Sequence, residues 1–108
     1  MESIKMKSWD KETRILSKPF SVGSEKSMDT INKLFLLFIG LHDKKGKEVY
    51  EGDILFDGVA LRYIVLWEEK FAKFSLRVIN KDLWTFAQMS EAFIIIGNKF
   101  ENPDLLKY

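Results

Sequence analysis

Glu51 and Asp53, separated only by Gly52, are the side chains of this sequence whose type and spacing come nearest to chemistry. Two carboxylates this close would suit a general acid–base pair or a cation site. The structural reading is that Gly52 bends the chain and Asp53 accepts backbone N–H bonds in the turn. That reading prevails, because no further oxygen ligands are spaced near them. His42 is the one histidine. Catalysis would need a matched nucleophile beside it, and no Gly-x-Ser-x-Gly elbow occurs. A transition-metal site would need His or Cys partners, which are missing. With no cysteine in 108 residues, disulfides, thiol nucleophiles and Cys-ligated zinc are excluded. No catalytic residue, metal or cofactor is expected, and the chain is not read as an enzyme.

Trp67, Trp84, Phe86 and Phe93 are the residue types that stack on nucleic-acid bases. Core packing is the better reading, because Trp67 alternates with Val65 and Tyr63. Exposure is expected only of Trp84 and Phe86. Lys44, Lys45 and Lys47, beside Lys33, are suited to phosphate, but Asp43, Glu48 and Glu51 interrupt them. The balance of 17 Lys+Arg against 16 Asp+Glu, a net charge of +1, gives no field to steer a polyanion. Nucleic acid is therefore not the favoured partner. The longest apolar run, residues 34–39, falls far short of the roughly 20 residues of a spanning helix. The N-terminus has no apolar signal core. The expected location is the cytoplasm, with no membrane partner.

Short strands are needed to position these groups. Residues 3–9 alternate, with Ile4, Met6 and Ser8 on one face and Lys5, Lys7 and Trp9 on the other. This reads as an edge strand blunted by lysines. A turn at Asp10 leads to a return strand over 13–16. Residues 17–29 read as an exposed loop; a short helix over 29–33, capped by Asp29, is the less favoured alternative. Residues 33–41 are apolar on both faces, as in a buried strand. Asp43 to Gly46 form a hairpin turn, and 47–50 return. Strands follow over 53–57, 61–68 and 73–79, then one helical turn over 83–90. A last strand over 92–96 stops at Gly97-Asn98, and Asn102-Pro103 turns the tail.

Four stretches resemble the YopX-like family of bacteriophages and prophages: SWDKETRIL, IGLHDKKGKEVYEGDIL, IVLWEEKFAKFSLR and IIIGNKFENPDLL. They span most of the chain except residues 17–33. The motif residues are Trp9, Asp10, Gly40, Asp43, Gly46, Tyr50, Glu51, Gly52, Asp53, Trp67, Gly97, Asn98, Glu101, Asn102 and Pro103, all read as structural. His42 stands where a lysine is common in the family, and Ile39 replaces a usual threonine. The resemblance implies a mainly β fold and a phage or prophage origin, and it implies no reaction.

The fold expected is mainly β: a small, strongly coiled barrel similar to Src-homology-3-type folds, with an added N-terminal β-hairpin and one short helical turn. Residues 1–108 form one domain, with the hairpin and loop in 1–32 and the barrel-like part in 33–108. The function expected is that of a phage accessory protein, non-catalytic, binding a host or phage protein. The alternative is nucleic-acid binding. A homo-oligomer is expected as well, because several strands are apolar on both faces while a small barrel has one interior. Against it, the hairpin and the tail (Leu105, Leu106, Tyr108) would cover the second face within one chain.

Overall fold

The structure is a computed structural model, and it describes residues 4–21, 32–79, 86–88, 90 and 92–107. In the first sheet, β1 (Lys5–Asp10) turns through residues 11–14 into β2 (Ile15–Leu16). β3 (Phe20–Ser21) pairs with the other end of β1. β4 (Lys33–His42) runs antiparallel along the opposite side of β1, and β5 (Glu48–Tyr50) lies beyond it. The second sheet has the order β10-β6-β7-β8-β9, formed by β6 (Asp53–Phe56), β7 (Arg62–Glu68), β8 (Lys73–Val78), β9 (Phe86–Ala87) and β10 (Ile94–Asn98). Short 3-10 helices cover Glu69–Phe71 and Pro103–Leu106.

The first sheet curls into a half-barrel that packs with the second, and the fold is mainly β as expected. Bulges help to bend it. One lies in β4 between Phe38 and His42, around Gly40, and the other lies in β10 between Ile95 and Gly97. The interior holds Val49, Leu55, Tyr63, Val65, Leu76, Val78 and Phe93, with Ile39 and Ile95 packed against them. Phe93 stacks on Tyr63 with ring centroids 4.6 Å apart. The opposite face of β6 and β7 presents Ile54 and Ile64, which join Ile79 in a second cluster. Leu105 and Leu106 of the terminal 3-10 helix pack on it. The Arg62 guanidinium ties that tail down by donating to the carbonyls of Leu105 and Lys107.

Several expectations need correction. β1 is not an edge strand, since Trp9 pairs with both Leu16 and Leu34. Its lysines do not guard an edge, although Lys5 stays exposed and Lys7 is half-buried. Lys5 Nζ lies 2.5 Å from Glu48 Oε2, and Lys7 Nζ lies 4.5 Å from the centroid of the Tyr50 ring. Their charges meet a carboxylate and a ring face. The helical turn expected over 83–90 does not form at Phe86–Ala87, which pairs with Leu76 and Arg77 on the side of β8 away from β7. An available strand edge there outweighs local preference. Residues 83–85 and 89 lie outside the described residues. So do residues 22–31, which hold most of the expected loop and of the alternative helix. Lys33 opens β4, as the strand expected over 33–41 requires.

Candidate functional site

The hairpin turn between β4 and β5 is built on Asp43. Its Oδ1 accepts the N–H groups of Lys45 and Lys47, both at 2.9 Å, and its Oδ2 accepts the Ile95 N–H at 3.0 Å. Burial alone would push this carboxyl up, but the donors from Ile95, Lys47 and Lys45 together bring it below its ordinary value. Asp10 does similar work in the first turn, accepting from Glu12 and Thr13 at 2.9 and 3.0 Å. His42 is exposed at the end of β4, edge-on to Phe38 at 5.6 Å.

The Glu51-Gly52-Asp53 cluster is a bend, as the turn reading requires. Gly52 has φ +89°, and a Cβ added there would lie 2.9 Å from Cε2 of Phe100. Only glycine fits both constraints. Phe100 in turn packs on Trp9, with ring centroids 5.4 Å apart. Asp53 Oδ2 accepts the Tyr50 N–H at 2.8 Å. Burial dominates the environment of Asp53 and pushes its pKa from 3.8 up to about 6, against the lowering effects of that hydrogen bond and of the Lys7 charge. Burial raises the Glu51 carboxyl too. The Tyr50 hydroxyl donates to Glu48 Oε1 at 3.0 Å, and burial beside that carboxylate pushes it up to about 12.

The C-terminal motif closes against the same region. Asn98 Oδ1 accepts from the N–H groups of Phe100 and Glu101, and its Nδ2 donates to Glu101 Oε1 at 2.8 Å. Asn102 Oδ1 accepts the Asn98 N–H, and a Cβ on Gly97 would lie 2.5 Å from that oxygen. Pro103 opens the helix that carries Leu105 and Leu106. Motif residues far apart in sequence therefore share one cleft of about 340 Å³. Tyr50 and Asp53 line it, with Lys7, Leu16 and Pro19 on one side and Gly97, Asn98, Glu101 and Asn102 on the other. Trp9, Asp10, Gly40, Asp43, Gly46, Glu51, Gly52, Trp67 and Pro103 do not line it. Lys7 and Glu48 do, although neither carries a sequence signal beyond the alternation of β1 and β5.

A second surface lies at the β7–β8 hairpin. Trp67 was expected in the core, yet it is 44% exposed. The interior ends at the Val65–Leu76 pair, and the next pair on that face, Trp67–Phe74, overhangs it in edge-on contact at 5.0 Å. Phe71, in the 3-10 turn, is 54% exposed, with Lys70 and Lys73 Nζ at 5.6 and 5.8 Å from its ring centroid. Phe93 is buried as the core reading predicts. Trp84 lies outside the described residues.

The fold has a counterpart in the crystal structure of protein EF1440 from Enterococcus faecalis, with a TM-score of 0.66 and 20% sequence identity. The match covers 96% of this chain and 98% of that one. No curated protein matches the chain. The family model described as YopX protein matches residues 2–107, which takes in the Asp43 turn, the Gly52 bend and the Asn98 closure alike. By that match, from end to end, the chain belongs to the YopX family.

Proposed function

We propose that this YopX family member is a non-catalytic protein-interaction module, an accessory protein of phage or prophage origin acting in the cytoplasm of a bacterial host. The observation that carries the reading is the exposed aromatic hairpin, where Trp67 and Phe71 stand 44% and 54% exposed on the paired β7 and β8. Large aromatic side chains held out in this way are the usual anchors of protein interfaces. The reading of no reaction is supported by the structural use of the turn carboxylates: Asp10, Asp43, Asp53 and Asp57 all accept backbone N–H groups. The test is capture of partners from host lysate by the intact protein and by Trp67→Ala/Phe71→Ala. A protein held by the former and lost by the latter supports the reading, and identical capture by both removes it.

Lys70 and Lys73 beside the Phe71 ring favour one second reading, a single-stranded nucleic acid stacked on the same hairpin. The net charge of +1 counts against it. A salt-dependent shift of labelled single-stranded DNA or RNA, lost in the same double variant, would install it in place of the first. Self-association belongs to the proposal as well. Ile4, Ile15, Leu34, Leu41, Leu61 and Ile96 are also exposed, more apolar surface than one hairpin explains.

A further inference from the structure

The two sheets do not close on each other where the interior ends at the Val65–Leu76 pair. A recess of about 400 Å³ lies there. β4 lines it with Ile39 and Leu41, and β8 lines it with Phe74. The buried Val65 and Leu76 are its floor. A second space of about 740 Å³ shares Leu41 and Gln88 with the recess, and Gly40, His42, Asp43, Lys44 and Ser90 also line it. Gly40 sits at the β4 bulge, and a Cβ added to it would meet nothing within 4 Å. Bulges of this kind recur beside binding sites.

The chemistry changes from one space to the other. Ile39, Leu41 and Phe74 present hydrocarbon. In the second space the Asp43 carboxylate is buried and already accepts three N–H groups, so it is not offered to a ligand. The remaining side chains can all donate: the Lys44 ammonium, the His42 ring, the Gln88 amide and the Ser90 hydroxyl. Ser90 Oγ accepts the Ala92 N–H at 3.2 Å, which leaves its own proton to give. We propose that the two spaces together bind a small amphipathic carboxylate, with its alkyl chain in the recess and its head among these donors. Charge complementarity selects an anion, because Lys44 carries the one charge of the described lining that is not already bonded within the chain. The recess has the volume of a small-molecule site, roughly 300–1,000 Å³. Trp67 and Phe71 line neither space, so the site is independent of the aromatic hairpin.

The test is titration of the ¹⁵N-labelled full chain at pH 7.5 and low salt with hexanoate, octanoate and decanoate. Decyltrimethylammonium is the charge-reversed probe, and all are kept below their aggregation concentrations. Saturable shifts of the Leu41, Lys44 and Leu76 amides are expected. Affinity should rise up to about fourfold for each methylene that enters the recess. The cationic probe should bind several-fold more weakly than decanoate. Lys44→Gln should weaken decanoate about two- to fivefold, the scale of an exposed ion pair. Leu41→Asp places a carboxylate in the apolar wall and should weaken it at least about tenfold. If Leu41→Asp does not fold, Leu41→Ala carries the same test with a smaller loss. No saturable shift, affinity that ignores chain length, equal binding of the cationic probe, or shifts confined to residues 67–71 each overturn the proposal.

Discussion

Asp43 Oδ2 accepts the backbone N–H of Ile95 at 3.0 Å, joining a hairpin turn to a strand 52 residues further along the chain. The Lys44 N–H donates to the Phe93 carbonyl at 2.9 Å beside it. One carboxylate thus shapes its own turn and fastens that turn to the second sheet. Asp43→Ala removes three charge-assisted hydrogen bonds at once and should cost about 2–4 kcal/mol of stability. Urea unfolding of the two proteins measures it. The folded pKa of Asp43 is lowered, so its contribution is present above the ordinary 3.8 and is lost as the pH falls through the lower folded value. The acid limb of the stability curve should flatten in the variant.

Asp53 has the opposite sign. Its pKa rises from 3.8 to about 6 on folding, so the folded state binds the proton more tightly than the unfolded state. Its stabilising contribution is full below 3.8 and is lost as the pH rises through about 6. Asp53→Asn should therefore gain stability relative to the parent between pH 4 and 7, by about 2–3 kcal/mol for a shift of this size. Thermal or urea unfolding at half-unit pH steps reads the difference. A constant gap across that range would show that Asp53 does not titrate there.

Gly52→Val meets two obstacles. The residue lies at φ +89°, and its new side chain would strike Phe100, which is packed on Trp9. A loss of roughly 1–3 kcal/mol is expected from the backbone strain, with the collision added. Phe100→Ala in the same background should recover part of the loss, because it removes the collision and leaves the strain. A double-mutant cycle measures the coupling directly.

The strands and turns were legible in the sequence wherever the signal is local. Residues 33–41 and 61–68 carry their apolar runs, and Asp43 with Gly46 carries its own turn. What faces what was not legible, because it depends on distant partners. Lys5 and Lys7 have the alternation of an edge strand, and only the pairing of β1 with β4 turns them onto Phe38, Glu48 and Tyr50. Trp67 shares a face with Tyr63 and Val65, but nothing in β7 itself says that the interior stops at Val65. The cleft escaped for the same reason. Tyr50 and Asp53 meet Asn98 and Glu101 only after the β10 bulge and the Asn98 turn are in place.

Self-association was expected because residues 33–41, 61–67 and 93–96 are apolar on both faces, and the structure moves the surface on which it would rest. Ile54 and Ile64 are covered within the chain by Leu105 and Leu106, and Arg62 holds that cover by two bonds to the tail. A second copy would therefore meet the exposed apolar groups elsewhere, such as Leu34, Leu41 and Ile96. Light scattering over a dilution series should show a mass rising from monomer toward dimer. A monomer mass at every concentration up to about 100 μM, near the limit of useful association, ends the idea. Arg62→Ala sharpens the test. It frees the tail and should uncover Ile54 and Ile64, adding apolar surface that drives association at lower concentration. An unchanged mass and an unchanged melting point in Arg62→Ala would mean that Leu105 and Leu106 stay in place without the guanidinium.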